Sequence, residues 1–481
     1  MMDYAQIFAF LTNLLFVMTL GWYLITNLQW YDYKIERVVL RHHKTWWHIV
    51  YFIIPFIAYY ATGKFFAIFF YFAVLPSMIM WHRKLDKKLV LTWRVKRFLI
   101  LLVSLTLFQD ILCTLKAACV IYGVFMPLVI SYIGSWAIEK FLFEAYKRQA
   151  KTKIASMKDL TIICVTGSYG KTSMKNFIAQ VLSNRFKVYA TPRSVNTLGG
   201  IIRDVNESLP EQTQVYVCEA GAREVGDIYA IAQLLNPQIV VVGKVGPQHL
   251  EYFKTLDRIK RTKLEIIHSN RLKKAFIHTS VTDEPHEKVT FFGDDIRNLT
   301  ATLDGIDFDT DINGETHHFH TSVLGAFQTI NINAAILIAV EMGMKSDEIV
   351  SAVENLKSVE HRLERIDAGG KIILDDGYNG NIDGMLEGVR LCSLHEGRKV
   401  IVTPGLVEST EELNSELIRA INNVFDIVIV TGHLNRQQFE RELSVHQTIM
   451  LGDKSQMVKV LGEVTRVGDI ILFANDAPNF I

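Results

Sequence analysis

A glycine-rich segment that ends in a lysine and two hydroxyl residues has the composition of a phosphate-binding loop. Its residues, in order, are Thr166, Gly167, Ser168, Tyr169, Gly170, Lys171, Thr172 and Ser173. Glycines let backbone N–H groups crowd around phosphate oxygens, and the N-terminus of a following helix adds a partial positive charge. Lys171 would reach the β- and γ-phosphates of a nucleotide such as ATP, and the Thr172 hydroxyl would bind Mg²⁺. The segment therefore predicts a nucleotide and metal site.

The sequence on either side of this loop supports that interpretation. The apolar residues 160–165 predict a strand before the loop, and residues 173–182 predict a helix after it. The glycine spacing is one residue tighter than in the common pattern G-x-x-x-x-G-K-[ST]. A glycine-rich turn without function is the alternative, and it is disfavoured because strand, loop and helix occur in the order that a phosphate loop needs.

Two further predicted strands, residues 215–218 and 239–242, also end in polar residues. Ligands gather at the carboxyl ends of strands in open α/β sheets, so these positions are candidates for the same site. Glu219 is placed to bind Mg²⁺ directly or through water. His249, taken alone, is more typical of a loop histidine than of a metal ligand. Lys263, in a helical stretch at 260–267, is by itself more typical of a solvated helix lysine.

Charge is unevenly distributed along the 481 residues, a length that predicts about three domains. Residues 1–150 carry 16 Lys and Arg against 7 Asp and Glu, and the rest of the chain carries 35 against 43. An apolar, basic head thus precedes an acidic body. The body has no basic stripe with interleaved aromatic residues, which excludes nucleic acid as a partner. The five cysteines lack metal-ligand spacing and predict reduced, packed thiols.

Apolar runs in the head predict a membrane region of about five spans over residues 1–140. They are residues 4–28, 46–62, 65–81, 98–115 and 117–138. The second and third runs are short for a span, which leaves a re-entrant hairpin open. The Lys and Arg residues of the loops at 29–45 and 82–97 place those loops, and everything after residue 139, in the cytoplasm. Asp110 within a run is a functional-site candidate by rule, although a structural hydrogen bond is favoured.

The rest of the chain predicts two α/β domains after a charged connector at 141–158. Short apolar strands alternate with helices there, which is typical of a largely parallel sheet. The predicted fold class is an α-helical membrane region followed by α/β structure, with a P-loop ATPase-type domain at 159–343 and a Rossmann-like domain at 344–481. Residues 289–323 predict strands and turns. The histidines at 317–320 alternate between strand faces, which favours a solvated hairpin over a metal site.

Taken together, the order of these motifs resembles the Mur ligases, the ATP-dependent amide-bond enzymes of peptidoglycan precursor synthesis. The segments that carry the resemblance are residues 166–173, 219–222, 246–253, 263–266, 325–335, 360–364 and 375–381. The last of them, D-D-G-Y-N-G-N, matches the pattern of the member that adds D-alanyl-D-alanine. The tighter phosphate loop is also the family's form. The resemblance covers about residues 155–481.

The resemblance implies a reaction and a set of site residues. ATP would phosphorylate a substrate carboxylate, and the amine of a dipeptide would attack the acyl phosphate. The catalytic residues would be Lys171, His249 and Lys263. The metal ligands would be Thr172, Glu219, His249 and Lys263, the last as a carbamate. The nucleotide would be bound by Thr166, Gly167, Ser168, Gly170, Lys171, Thr172, Ser173, Gln328, Asn331, Arg362, Asp376, Tyr378 and Asn379.

The implied function is the addition of D-alanyl-D-alanine to UDP-N-acetylmuramoyl-tripeptide. The predicted localisation is the bacterial inner membrane, multi-pass, with catalytic domains in the cytoplasm and with membrane lipid and membrane-bound cell-wall enzymes as partners. Two departures stand out: Gln328 occupies a position where asparagine is usual, and residues 1–150 look nothing like the family's uridine-nucleotide domain. Contacts to a UDP-sugar therefore cannot be carried over. One alternative is a Mur-like ligase with another acceptor or a lipid-linked donor, and a less favoured one is a membrane P-loop NTPase or transporter.

Overall fold

The computed structural model describes residues 4–40, 42–85, 87–116, 124–246, 253–282, 284, 286–407 and 409–475. The chain divides into two compact units, Met1–Tyr146 and Lys147–Ile481. The predicted ligand His249 lies outside the described residues, as do residues 117–123 at the start of the fifth apolar run. Each unit is taken by itself below.

The N-terminal unit is built from helices whose apolar side chains pack together. Its α-helices are Tyr4–Trp30, Ile35–Leu40, Trp46–His48, Ile54–Thr62, Phe66–Phe69, Leu75–Arg83, Trp93–Lys116 and the part of Phe125–Ser156 up to Tyr146. The turns Ile49–Ile53 and Phe70–Val74 are π-helical, and Gly63–Phe65 is a 3₁₀ turn. Phe16, Phe70 and Phe98 are buried in the core. Asp110 accepts a hydrogen bond from Asn13 Nδ2 at 2.6 Å, the structural role that the sequence favours.

The predicted multi-pass localisation in the inner membrane is wrong. Among the described residues, two helices are long and apolar enough to cross a membrane, Tyr4–Trp30 and Phe66–Arg83, and not five. In the most apolar windows of these two helices, 44% and 28% of the residues are buried inside the structure. The sequence over-predicted spans because apolar runs were counted without regard to helix length: residues 46–62 form one helical stretch that is shorter than the roughly 20 residues needed to cross a bilayer.

The second unit begins with a six-stranded parallel sheet, which confirms the predicted α/β fold. Its strands are β1 Thr161–Thr166, β2 Val188–Ala190, β3 Val215–Glu219, β4 Ile239–Val242, β5 Lys274–His278 and β6 Val289–Phe292, in the order β2-β3-β1-β4-β5-β6. The residues of β3 and β4 are all buried, as expected for parallel strands that helices cover on both faces. The register pairs Val165 with Glu219. The end of β3 therefore lies beside the end of β1.

Helices surround this sheet, and a small antiparallel sheet extends from it. The helices are Lys171–Ser183, Leu198–Glu207, Asp227–Leu235, Leu256–Leu264, Gln328–Glu341 and Ser346–Glu354. The small sheet contains β7 Arg297–Ala301, β8 Ile306–Ile312 and β9 Glu315–Thr321. His318 and His320, on β9, bond Asp309 and Asp307 across the hairpin. Within the described part of the chain, no group of three or more His, Cys, Asp or Glu side chains is arranged to hold a metal ion.

A second six-stranded sheet forms the C-terminal lobe of this unit. Its strands are β10 Glu364–Ala368, β11 Lys371–Asp376, β12 Lys399–Thr403, β13 Ile427–Thr431, β14 Gln447–Leu451 and β15 Ile470–Ala474, in the order β10-β11-β15-β12-β13-β14. All pairs are parallel except β10 with β11. Its helices are Ile382–Ser393, Glu411–Val424, Arg436–Glu442 and Met457–Val464. Asp376 is the last residue of β11. It therefore belongs to the sheet of the C-terminal lobe and not to the sheet that carries the phosphate loop.

Candidate active site

The phosphate loop connects the end of β1 to the helix Lys171–Ser183. Gly170, directly before the helix, has a φ of +73°, a left-handed conformation that glycine adopts without steric cost. A Cβ at this position would lie 2.5 Å from Asn331 Oδ1. The N–H groups of Ser168 and Tyr169 donate to the carbonyl of Lys244, at 3.0 and 3.3 Å, and hold the loop against the end of β4. These contacts fix the loop at the N-terminus of the helix, where the helix dipole favours a phosphate.

Lys171 lies at the start of that helix and curls back over the loop. Its Nζ donates to the Ser168 carbonyl at 2.8 Å. Burial lowers the pKa of Lys171, the charge of Glu219 opposes that shift, and Arg362 adds to it. The lysine is therefore within electrostatic reach of a carboxylate from β3 and a guanidinium from the C-terminal lobe.

The Glu219 carboxylate is the centre of a polar cluster at the end of β3. Thr172 Oγ1 donates to its Oε2 at 2.9 Å, and Asn196 Nδ2 donates to its Oε1 at 3.1 Å. Lys175 Nζ lies 4.0 Å from Oε2 and donates to the Thr191 carbonyl at 2.6 Å. A hydroxyl and a carboxylate in direct contact are the oxygen donors that Mg²⁺ prefers. The residues present thus fit a magnesium ion.

Lys263 is buried on the neighbouring helix Leu256–Leu264. Its pKa is lowered to about 7, chiefly by burial and then by the positive charge of Lys171, while Glu219 opposes the shift. Part of the population is therefore a neutral amine at physiological pH, which is the form that reacts with carbon dioxide. His249, the other predicted ligand of the same metal, lies outside the described residues.

The predicted adenine residues lie at the start of the helix Gln328–Glu341 and face the phosphate loop. Gln328 and Asn331 are both buried, and Asn331 Nδ2 donates to Gln328 Oε1 at 2.8 Å. The Asn331 side chain is also the group that a Cβ at Gly170 would touch. The hydrogen-bonded pair of Gln328 and Asn331 therefore packs directly against the phosphate loop.

Arg362 brings the C-terminal lobe to the same place. Its neighbours His361 and Leu363 have φ of +59° and +56°, a left-handed conformation that costs a side chain about 1–2 kcal/mol. Burial lowers the pKa of Arg362, and the charges of Asp376 and Glu219 oppose that shift. The strained segment thus holds the guanidinium between the predicted ribose and metal ligands.

Asp376 is a buried carboxylate with one satisfied oxygen. Asn379 Nδ2 donates to Oδ2 at 2.8 Å, and Oδ1 has no hydrogen-bond partner among the described residues. Burial raises the pKa of Asp376 well above its usual value. Buried polar atoms are nearly always bonded, so an unpartnered oxygen indicates an absent donor. A ribose hydroxyl fits that requirement.

Tyr378 closes the exposed side of the site and is 54% exposed. Its ring centroid lies 4.9 Å from that of His361, and the Arg193 guanidinium lies 3.9 Å from the same ring. Arg193 belongs to the loop after β2, so this stack joins the two lobes. A second link is the ion pair between Lys244 Nζ and Asp383 Oδ2 at 2.9 Å.

Sequence reasoning missed Lys175, Arg193, Asn196 and Lys244. Only Lys175 had a local signal, because it lies four residues after Lys171 and therefore on the same helix face. The other three lie on loops that the order of the strands brings to the site. Of the other predicted residues, Thr166 ends β1, Gly167 and Ser168 lie in the loop, Ser173 lies in the first turn of its helix, and Asn379 contacts Asp376. The roles of all these residues stay predictions.

Comparison with known proteins agrees with this geometry. Residues 165–339 match the family described as the Mur ligase middle domain. That segment contains the phosphate loop and Glu219, and over it the chain is similar to the Mur ligases.

The chain is also similar to ligases that are named for one particular precursor. It is 27% identical over 358 residues to the UDP-N-acetylmuramoyl-tripeptide–D-alanyl-D-alanine ligase of Bacillus subtilis, which covers 69% of this chain and 75% of that protein. The MurF ligase from Thermotoga maritima in complex with ADP aligns with a TM-score of 0.59 and 24% identity, over 69% of this chain and 80% of that one. A D-alanyl-D-alanyl ligase from Acinetobacter baumannii aligns with a TM-score of 0.61 and 20% identity, over 69% of this chain and 76% of that one.

Proposed function

We propose that this chain is an ATP-dependent ligase that joins D-alanyl-D-alanine to the tripeptide of a UDP-N-acetylmuramoyl-tripeptide through an acyl phosphate. The observation that carries the proposal is the hydrogen bond from Thr172 to Glu219, at 2.9 Å, beside Lys171 and Lys263. This cluster collects two metal-binding oxygens and two lysines at one end of the sheet. The similarity to the Bacillus subtilis ligase supports the choice of substrates.

Each cluster of residues has a task in this reaction. Lys171 neutralises charge on the transferring phosphoryl group, since phosphoryl transfer depends chiefly on positioning and electrostatics. Gln328 and Asn331 hold the adenine, and Asp376 holds the ribose through its unpartnered Oδ1. Arg362 adds a second cation at the phosphates. Mg²⁺, held by Thr172 and Glu219, would supply further neutralisation of phosphate charge.

Contacts between the two lobes protect the reaction from water. Tyr378 stacks with Arg193, and Lys244 pairs with Asp383. Both links lie at the rim of the nucleotide site, where closed lobes exclude water from a reactive mixed anhydride. Hydrolysis of that anhydride is then slower than its capture by the amine.

A second candidate function, a Mur-type amide ligase with another acceptor or a lipid-linked donor, is favoured by one observation. The described residues of the N-terminal unit form helices and not an α/β domain. They therefore offer no counterpart of the uridine-nucleotide domain that the family resemblance implies. The identity of the substrate that donates the carboxylate is thus a proposal.

The test is coupling by the full chain. The purified protein is supplied with ATP, Mg²⁺, UDP-N-acetylmuramoyl-tripeptide and D-alanyl-D-alanine, and pentapeptide and phosphate are measured. We expect pentapeptide and phosphate in equal amounts. Lys171→Ala should abolish both products. Lys459→Ala, at a side chain that is 80% exposed, should leave both unchanged. Phosphate release that ignores the amine acceptor would contradict the proposal, and turnover with only a lipid-linked donor would establish the second candidate.

A further inference from the structure

The N-terminal unit contains an apolar cavity of about 350 Å³. Its lining includes Leu24, Ile35, Phe52, Phe56, Leu128 and Tyr132, and the Tyr132 hydroxyl is the lining's polar group. Ligand pockets usually measure roughly 300–1,000 Å³, so the space is large enough for a bound molecule. An apolar cavity does not retain ordered water. Its natural occupant is a hydrocarbon chain.

Two charged residues lie near Tyr132, although neither of them lines the cavity. The Tyr132 hydroxyl is within electrostatic reach of Glu36 and Arg94. The Arg94 guanidinium lies 3.6 Å from the centroid of the Tyr33 ring, and its buried Nε has no hydrogen-bond partner among the described residues.

No carboxylate in the described part of the chain pairs with this guanidinium. The nearby Glu139 forms its ion pair with Arg97. A half-buried cation with an unmet N–H donor is costly unless an anion or acceptor satisfies it. The planar fork of arginine matches phosphate oxygens in particular.

We propose that this cavity binds the hydrocarbon chain of an amphiphile that ends in phosphate, with the phosphate against Arg94. The apolar walls take the chain, and the guanidinium at the polar end takes the head group. Anionic lipids and lipid-linked substrates share this chemistry. The proposal rests on the N-terminal unit alone and is independent of the ligase proposal.

The experiment measures binding and not turnover. The full chain is kept in detergent-free buffer, so that no other alkyl chains compete, and is titrated with dodecyl phosphate, dodecanol and inorganic phosphate. Val129→Trp fills the cavity, and Phe72→Trp adds the same indole at a side chain that is 81% exposed and does not line it. Arg94→Gln removes the charge, and Arg94→Lys keeps it.

We expect one dodecyl phosphate per chain, with affinity about tenfold lower in Val129→Trp and in Arg94→Gln, which corresponds to one good contact at each end. Phe72→Trp should bind as the wild type does, and Arg94→Lys should be intermediate. Dodecanol should bind less tightly, and inorganic phosphate should not bind. Equal losses of dodecyl phosphate affinity in Phe72→Trp and Val129→Trp would show that the cavity is not the binding site. Unchanged binding in Arg94→Gln, or inorganic phosphate binding as well as dodecyl phosphate, would overturn the assigned ligand even where Val129→Trp fails to fold.

Discussion

The hydroxyl of Thr172 donates a hydrogen bond to the Glu219 carboxylate at 2.9 Å, and this contact joins the phosphate loop to the neighbouring strand. Glu219 ends β3, whereas Thr172 lies in the first turn of the helix after β1, 47 positions earlier in the chain. They meet because β1 and β3 are adjacent and parallel. The proposed metal site therefore depends on the order of the strands as much as on the residues.

Replacement of Thr172 by valine should weaken metal binding. The isosteric change removes the hydroxyl that would bind Mg²⁺ and leaves Glu219 Oε2 without its donor. Loss of a ligand or its supporting contact changes metal affinity by about 10–100-fold, so the Mg²⁺ concentration for half-maximal nucleotide binding should rise at least tenfold. That Mg²⁺ concentration is measured by titrating Mg²⁺ into the protein with a fluorescent ATP analogue. Thr172→Ser keeps the hydroxyl and should bind Mg²⁺ nearly normally; equal defects in both variants would contradict the assignment.

Lys175 should be important for stability as well as for the site. It is 1% exposed, and its Nζ donates to the Thr191 carbonyl at 2.6 Å. Lys175→Met leaves that carbonyl unpaired, which should lower the free energy of unfolding by about 1–3 kcal/mol. Urea unfolding gives the value, with Lys459→Met as the exposed control. A loss in Lys175→Met no larger than in the control would mean that the buried bond contributes nothing.

The conformation of Gly170 has a matched control in the same lobe. Gly314, in the β8–β9 turn, has a φ of +88° and open space where its Cβ would be, whereas a Cβ at Gly170 meets Asn331. Alanine at either position should cost about 1 kcal/mol of backbone strain. Only Gly170→Ala should also weaken ATP binding, because Asn331 must move. Equal nucleotide affinity in the two variants would rule out the close contact.

The stack of Arg193 on Tyr378 predicts an energetic link between the lobes. A double-mutant cycle with Arg193→Met and Tyr378→Leu should give a coupling of about 0.5–1 kcal/mol in unfolding, as expected for a partly exposed cation–π pair. The same cycle on ATP affinity should show coupling of the same sign. Strictly additive effects in both measurements would show that the stack does not hold the lobes together.

The lowered pKa of Lys263 predicts a pH dependence of stability. Burial brings the folded-state pKa to about 7, while the unfolded value stays near 10.5, so the unfolded state binds more protons between these values. Stability should therefore rise with pH in that window. In the presence of EDTA, the wild type should gain about 2 kcal/mol relative to Lys263→Met between pH 7 and pH 9. If the free energies of unfolding of the two proteins changed with pH in parallel, the lowered pKa of Lys263 would be refuted.

The sequence predicted the parallel sheets well because buried strands appear as short apolar runs between polar residues. The run at 239–242 coincides with β4, Ile239–Val242. The sequence also placed Thr172 near Glu219, since Glu219 ends β3 and Thr172 lies in the first helical turn after β1. Asn196 and Arg193 could not be predicted, because their positions depend on the loop after β2 and on the C-terminal lobe. The membrane prediction failed because it counted apolar runs, whereas only two helices of the described residues are both long and apolar enough to cross a membrane.

The most direct test follows oxygen from the substrate carboxylate. The tripeptide donor is labelled with ¹⁸O in its terminal carboxylate, coupled to D-alanyl-D-alanine by the full chain with unlabelled ATP, and the released phosphate is analysed by mass spectrometry. If the site forms an acyl phosphate, one labelled oxygen appears in each phosphate, and Lys171→Ala abolishes both the label transfer and the peptide bond. Release of unlabelled phosphate alone would contradict the account, because the phosphoryl group would then have passed to water.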